Sequence, residues 1–117
     1  MHDPKCLFCK IVRGTELCTK IWENDGFLVI KNKYPKAPVH ILVLDKAHRE
    51  KEATMTGEFA GEGYWDKLMA AAWGAIKQLG LNKTGYKIVN NGAGYHHFEH
   101  QHLHIMGGSK TEPGGES

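Results

Sequence analysis

The chain has 117 residues, 41% of them apolar, and a formal net charge of +2. That length supports one hydrophobic core and not two, so a single domain is expected. The charge balance is not the footprint of a dedicated duplex binder, so no specific nucleic-acid binding is expected, and no apolar run approaches the roughly 18 residues of a membrane span.

In chain order, Met1-His2-Asp3-Pro4-Lys5 lacks the apolar core of a signal peptide, which makes a cytoplasmic location the expectation. Cys6 and Cys9 form a C-x2-C pair on a turn, with Cys18 left over as a plain core or surface thiol. In a reducing compartment such a pair is a metal or redox device, or else two buried thiols acting as small hydrophobes. Residues Lys20 to Lys31 read as a hairpin about Asn24-Asp25-Gly26, the Asp-Gly step supplying a positive φ. A loop stiffened by Pro35 and Pro38 follows, and its lysines Lys31, Lys33 and Lys36 meet either phosphate or solvent.

The apolar run His40 to Asp45 predicts a central strand, with His40 at its start and His48 just past its end. Residues 49 to 62 have no clear period and read as a loop with at most a short helical turn. A helix is predicted from Gly63 to Leu79, with Trp65, Leu68, Met69, Ala72, Ile76 and Leu79 as its core stripe and Gly80 as its stop. Tyr86 to Asn90 is a further strand, leading into Asn91-Gly92-Ala93-Gly94, either an ordinary turn or one whose backbone N–H groups face an anion. The stretch from Ser109 to Ser117 has nothing to bury and is expected to be disordered.

The densest chemistry lies between His96 and Gly108, where five of the eight histidines fall within nine residues. His100, His102 and His104 alternate with Gln101, Leu103 and Ile105, the pattern of a strand with three imidazoles on one face. Next-nearest side chains on a strand stand about 6.5–7 Å apart, so one small anion can touch two rings. The interleaving with apolar residues argues against a tag remnant or an adventitious metal-binding tract.

His100-Gln101-His102-Leu103-His104-Ile105-Met106 resembles the motif of the histidine-triad (HIT) family of nucleotide hydrolases and transferases. The resemblance extends to Cys6 through Gly14, Tyr34 through His40, Asp45 through His48, Leu79 through Lys83 and Val89 through Gly92, in order and spacing, and is closest to the small Hint-type branch. It implies an α+β fold, a five-stranded antiparallel sheet with one main helix, over a HIT domain of residues 1–108 followed by the disordered tail 109–117. It also implies a homodimer with a shared sheet, for which Tyr64 and Trp73 are candidate contacts.

Imidazole serves both as a neutral nucleophile near pH 7 and, once protonated, as a proton donor. The resemblance makes His102 the nucleophile that takes the nucleotidyl group from an α-phosphorus, and His104 a donor to a phosphoryl oxygen. A backbone carbonyl of the neighbouring turn should hold the His102 tautomer. His40 would support the triad beside the phosphate, Asn90 would lie near the leaving group, and Asn32, His102, His104 and Asn90 would bind the nucleotide. The implied substrate is a purine nucleoside 5′-monophosphate joined to an amine, a phosphoramidase reaction. The alternatives are a diadenosine polyphosphate hydrolase, and a nucleotide-binding or zinc-stabilised interaction protein with vestigial catalysis. Cys6, Cys9, His48 and His100 would hold a structural zinc, and no catalytic cofactor is implied.

Two positions depart from the family pattern. Asn32 stands where an Asp usually holds the ribose hydroxyls, and an amide loses the charge-assisted part of that bond. His96-His97 replace the usual Gln-Ser pair, so His97 becomes a candidate general acid toward the leaving amine.

Overall fold

The computed structural model describes residues 5–56, 63–92 and 100–108. His96, His97, the glycine turn from Ala93 onward and the tail 109–117 lie outside the described residues. In chain order the elements are helix Leu7–Arg13 (α1), strands Lys20–Glu23 (β1), Phe27–Lys31 (β2) and Val39–Asp45 (β3), and helices Lys51–Thr56 (α2), Tyr64–Gln78 (α3) and Leu81–Thr84 (α4). Strands Tyr86–Val89 (β4) and His102–Gly107 (β5) complete them. The five strands form one sheet in the order β1-β2-β3-β5-β4, every adjacent pair antiparallel. The expected α+β architecture with a central third strand and one main helix is therefore present. Among the described residues no helix is long and apolar enough to cross a membrane.

Period-2 alternation sorts the sheet into two faces. Val29, Ile41, Val43, Leu103 and Ile105 pack with Leu68, Ala71, Ala72, Ala75 and Ile76 of α3. Leu28, Ile30, Leu42 and Leu44 pack with Phe8 and Ile11 of α1. His102 and His104 stand opposite Leu44 and Leu42 in the β3–β5 register, so they belong to the α1 side. A one-residue slip would turn Leu103 and Ile105 off the core, and each such side chain contributes roughly 1.5–3 kcal/mol by burial. The apolar residues of β5 thereby fix the face on which its histidines emerge.

Four local expectations are corrected. The C-x2-C pair sits at the start of a helix and not on a turn: Cys6 is the N-cap of α1, and Cys9 lies in its first turn. Residues 51–56 form the helix α2, with Lys51 and Thr54 buried beneath it. In the hairpin the Asn24 side chain accepts from the N–H groups of Gly26 and Phe27 at 3.0 and 2.9 Å, so the turn is built by that side chain, and Gly26 is not among the positive-φ glycines.

The fourth correction is the phase of α3. Leu68, Ala72 and Ile76 are buried as expected, but Ala71 and Ala75 join them, while Met69 and Leu79 are 39% and 36% exposed. The small residues let the helix sit close to the sheet. At Gly74 an added Cβ would come within 2.9 Å of the Trp22 ring. The helix ends at Gln78, where Gly80, at φ 70°, donates its N–H to the Lys77 carbonyl.

Candidate active site and metal centre

Four ligand atoms from three separate stretches meet at the start of α1. The donor atoms of Cys6, Cys9, His48 and His100 all lie within 4.8 Å of one another. Cys9 Sγ is 3.2 Å from His48 Nδ1 and 3.4 Å from His100 Nδ1, and Cys6 Sγ is 3.4 Å from His100 Nδ1. His100 Nε2–H donates to the Asp45 carbonyl, which fixes its tautomer and turns the Nδ1 lone pair toward the two sulfurs. Two sulfurs and two imidazole nitrogens at these separations can hold a metal ion such as zinc, whose bonds of about 2.3 Å to sulfur and 2.0–2.1 Å to nitrogen suit such a tetrahedral set.

The loop carrying His48 is held by Asp45. Its buried carboxylate accepts from Arg49 Nη1 at 2.9 and 3.1 Å, from the Ala47 N–H at 2.8 Å and from the Tyr64 hydroxyl at 2.8 Å. Tyr64, expected as a subunit contact, is thus buried within its own chain, and burial beside Asp45 raises its hydroxyl pKa, keeping it protonated. Trp73, the other such candidate, is 43% exposed.

Next to this Cys/His cluster stands His102, 3% exposed. Its Nδ1–H donates to the carbonyl of His100 at 2.8 Å, leaving the Nε2 lone pair unused by that bond. The carbonyl comes from two residues upstream. Burial, with smaller contributions from the charge of Lys51 and from the neighbouring histidines, pulls its pKa down to about 3, so the ring stays neutral. The His102 and His104 ring centroids are 5.3 Å apart, and those of His104 and His40 are 5.2 Å apart.

A chain of hydrogen bonds sets the protons of the second pair. The Lys36 N–H donates to His40 Nδ1 at 3.0 Å, so a neutral His40 carries its proton on Nε2. That nitrogen lies 2.9 Å from His104 Nδ1 and donates to it, which leaves the His104 proton on Nε2. Desolvation, then the charge of Lys36, lowers the pKa of His40 and favours its neutral form. Asn32 Nδ2 lies 3.1 Å from His40 Nε2 while its Oδ1 accepts from the Tyr34 N–H at 2.9 Å. Asn32 is therefore beside the pair.

Asn90 is exposed just beyond β4, and its Oδ1 accepts from Lys51 Nζ at 2.8 Å. Lys51 is 2% exposed and also donates to Gln101 Oε1 at 2.9 Å and to the His102 carbonyl at 2.7 Å. Gln101 Nε2–H donates to Thr54 Oγ1 at 2.7 Å, and Thr54 donates in turn to the Lys51 carbonyl at 2.7 Å. Sequence reasoning missed Lys51, Gln101, Thr54 and Phe8; only the alternation at Gln101 hinted that a polar residue would face inward. His97 lies outside the described residues.

The family model described as the HIT domain matches residues 13–111. An uncharacterized HIT-like protein of Chlamydia trachomatis is 38% identical over 108 residues, covering 87% of this chain and 91% of that protein. Among solved structures, a histidine triad protein from Clostridium difficile matches with a TM-score of 0.85 at 30% identity, over 97% of this chain and 98% of that one. A HIT family hydrolase from Clostridium thermocellum matches at 0.83 and 27% identity, over 95% and 96% of the two chains.

Proposed function

The chain belongs to the HIT domain family, and on that footing we propose that it is a nucleotide hydrolase of the phosphoramidase type, acting on purine nucleoside 5′-monophosphates joined to an amine. The observation that carries this reading is the His102 tautomer: in a neutral ring whose Nδ1–H is committed to the His100 carbonyl, the nucleophilic lone pair is the one on Nε2. Similarity to a protein described as a HIT family hydrolase supports the hydrolase class.

In this reading His102 Nε2 attacks the α-phosphorus and the phosphorus–nitrogen bond breaks. The leaving amine takes up a proton, for which His97 is the proposed donor. Water then attacks the nucleotidyl-histidine, the phosphorus–Nε2 bond breaks and the nucleotide departs, so one hard displacement becomes two easier ones. His104, with its Nε2 proton fixed by the Lys36–His40 chain, donates to a phosphoryl oxygen as charge builds there. His40 acts through His104, Asn90 lies by the leaving group, and Asn32 contacts the ribose. Cys6, Cys9, His48 and His100 hold a structural zinc that fastens α1 to the sheet, and no catalytic cofactor enters the reaction. A metal-binding rather than disulfide role for Cys6 and Cys9 suits a reducing, cytoplasmic location.

The proposal includes a homodimer joined through β4, the last strand of the sheet, on which Tyr86 and Ile88 are 44% and 37% exposed. Light scattering at twice the 13.1 kDa chain mass supports it, and a monomer at high concentration counts against it. The exposed lysines Lys31, Lys33 and Lys36 favour keeping diadenosine polyphosphate as the second substrate, since they suit a longer anionic leaving group. Brief incubation with an adenosine 5′-phosphoramidate followed by intact-mass measurement tests the mechanism. An adenylyl adduct that maps to His102 is the expected result, and rapid turnover with an adduct on another residue would refute the assignment.

A further inference from the structure

Lys51 is the buried group whose chemistry the proposed mechanism leaves unused. Its Nζ meets three oxygens, Asn90 Oδ1, Gln101 Oε1 and the His102 carbonyl, at 2.7 to 2.9 Å. Three acceptors require three N–H donors, so the group here is the ammonium, which has no lone pair to offer. Each oxygen is thereby locked as an acceptor. The register of β4 on β5 pairs Val89 with His104, so β4 ends before it reaches His102, and Lys51 bonds the carbonyl of His102 beyond that end.

The lock has a consequence for Asn90. A carboxamide whose oxygen is held by an ammonium must turn its NH2 the other way, and Asn90 Nδ2 points toward the sulfur of Met55 at 3.7 Å, on the exposed side. Met55 is 65% exposed and its thioether is only a weak acceptor, so a better acceptor can displace it. Gln101 cannot relax the arrangement, because its own NH2 is used by Thr54, and Thr54 is tied back to the Lys51 carbonyl.

We infer that Lys51 is a positioning residue that fixes the polarity of Asn90, making it an obligate hydrogen-bond donor beside His102. This rests on the proposed function, which places Asn90 near the leaving group. When the bond to phosphorus breaks, negative charge collects on the leaving atom, and a donor there strengthens in the transition state while an acceptor would oppose it. Lys51 thus acts on the leaving group through Asn90.

The test is a double-mutant cycle in the full chain. Hydrolysis of an adenosine 5′-phosphoramidate is measured for wild type, Lys51→Met, Asn90→Ala and the double variant, with a thermal melt for each. Lys51→Met is expected to lower kcat by about ten- to a hundredfold with KM changed less than about threefold, and to cost less than about threefold once Asn90 is Ala. Equal losses in both backgrounds overturn the proposal, because a lysine that only holds the fold acts whether or not Asn90 is present. If Lys51→Met melts below the assay temperature, Lys51→Arg, another donor-only cation, replaces it. Retained kcat in Lys51→Arg beside a loss in Asn90→Asp, which can only accept, supports the proposal, and a Lys51→Arg loss as large as that of Asn90→Ala overturns it. Should the wild-type chain hydrolyse no nucleotide, the function reading fails separately. The side-chain 15N–1H pair of Asn90 then decides: movement toward the free-amide position in the folded Lys51 variant supports the lock, and an unmoved pair overturns it.

Discussion

Phe8 stands edge-on to His102, with ring centroids 4.8 Å apart and planes at 63°. The same ring lies 5.8 Å from that of His100. One helical turn of α1 thus carries Cys6 and Cys9 toward His48 and His100 and Phe8 onto the proposed nucleophile. Whatever holds the cysteines also holds a wall of the proposed active site.

Metal removal should therefore disturb both stability and turnover. Carefully prepared protein is expected to carry about one zinc per chain, and chelation or Cys9→Ser to lower the melting temperature and reduce kcat. Elemental analysis and calorimetry check this. A metal-free chain with an unchanged melt would contradict the structural role.

Phe8 itself is 3% exposed, so Phe8→Ala both opens a cavity and frees the His102 ring. A stability loss of about 3–5 kcal/mol is expected in urea titration. Phe8→Leu, which refills most of the volume, should recover much of that loss and leave kcat lowered, because no ring remains against His102.

The pH dependence follows from the neutral histidines. With the pKa of His102 pulled down to about 3 by burial and that of His40 also lowered, the reactive neutral form persists well below the ordinary histidine range. The profile of kcat/KM should be flat on the acid side from pH 7 to about 5. An acid limb centred near the free-histidine value of about 6.5 would contradict it. Stability has a definite sign as well. Below about pH 6.5 the unfolded chain binds a proton at His102 that the folded chain refuses, so stability falls as pH falls toward 3, by at most about 1.4 kcal/mol per pH unit for that group.

Asn32 offers a gain-of-function check. Its amide accepts from the Tyr34 N–H but presents NH2 toward His40 Nε2, whereas a carboxylate could accept from both sides. Asn32→Asp is expected to tighten AMP binding several-fold in calorimetry through a charge-assisted bond to the ribose hydroxyls. Unchanged or weaker binding would remove Asn32 from the ribose site.

The sheet was legible because its strands carry their own period. His102 and His104 could be assigned one face from alternation alone, and the buried run after His40 announced the central strand. The metal cluster was half legible. Cys6 and Cys9 are neighbours in sequence, but His48 and His100 reach them only through the β3–β5 pairing, and family resemblance supplied that link.

Lys51 was not legible at all. It lies in the charged stretch Lys46 to Glu52, where a lysine ordinarily points to water, and only the three oxygens around Nζ distinguish it. The α3 stripe was misphased for a related reason: hydrophobicity weights Met69 and Leu79 above Ala71 and Ala75, while close packing on the sheet favours the small side chains.

The most direct measurement is steady-state hydrolysis of an adenosine 5′-phosphoramidate by the wild-type chain beside His102→Asn. The account predicts clear wild-type turnover and a loss of several orders of magnitude in the variant. Equal turnover in the two proteins would mean that His102 is not the nucleophile and would contradict the account at its centre.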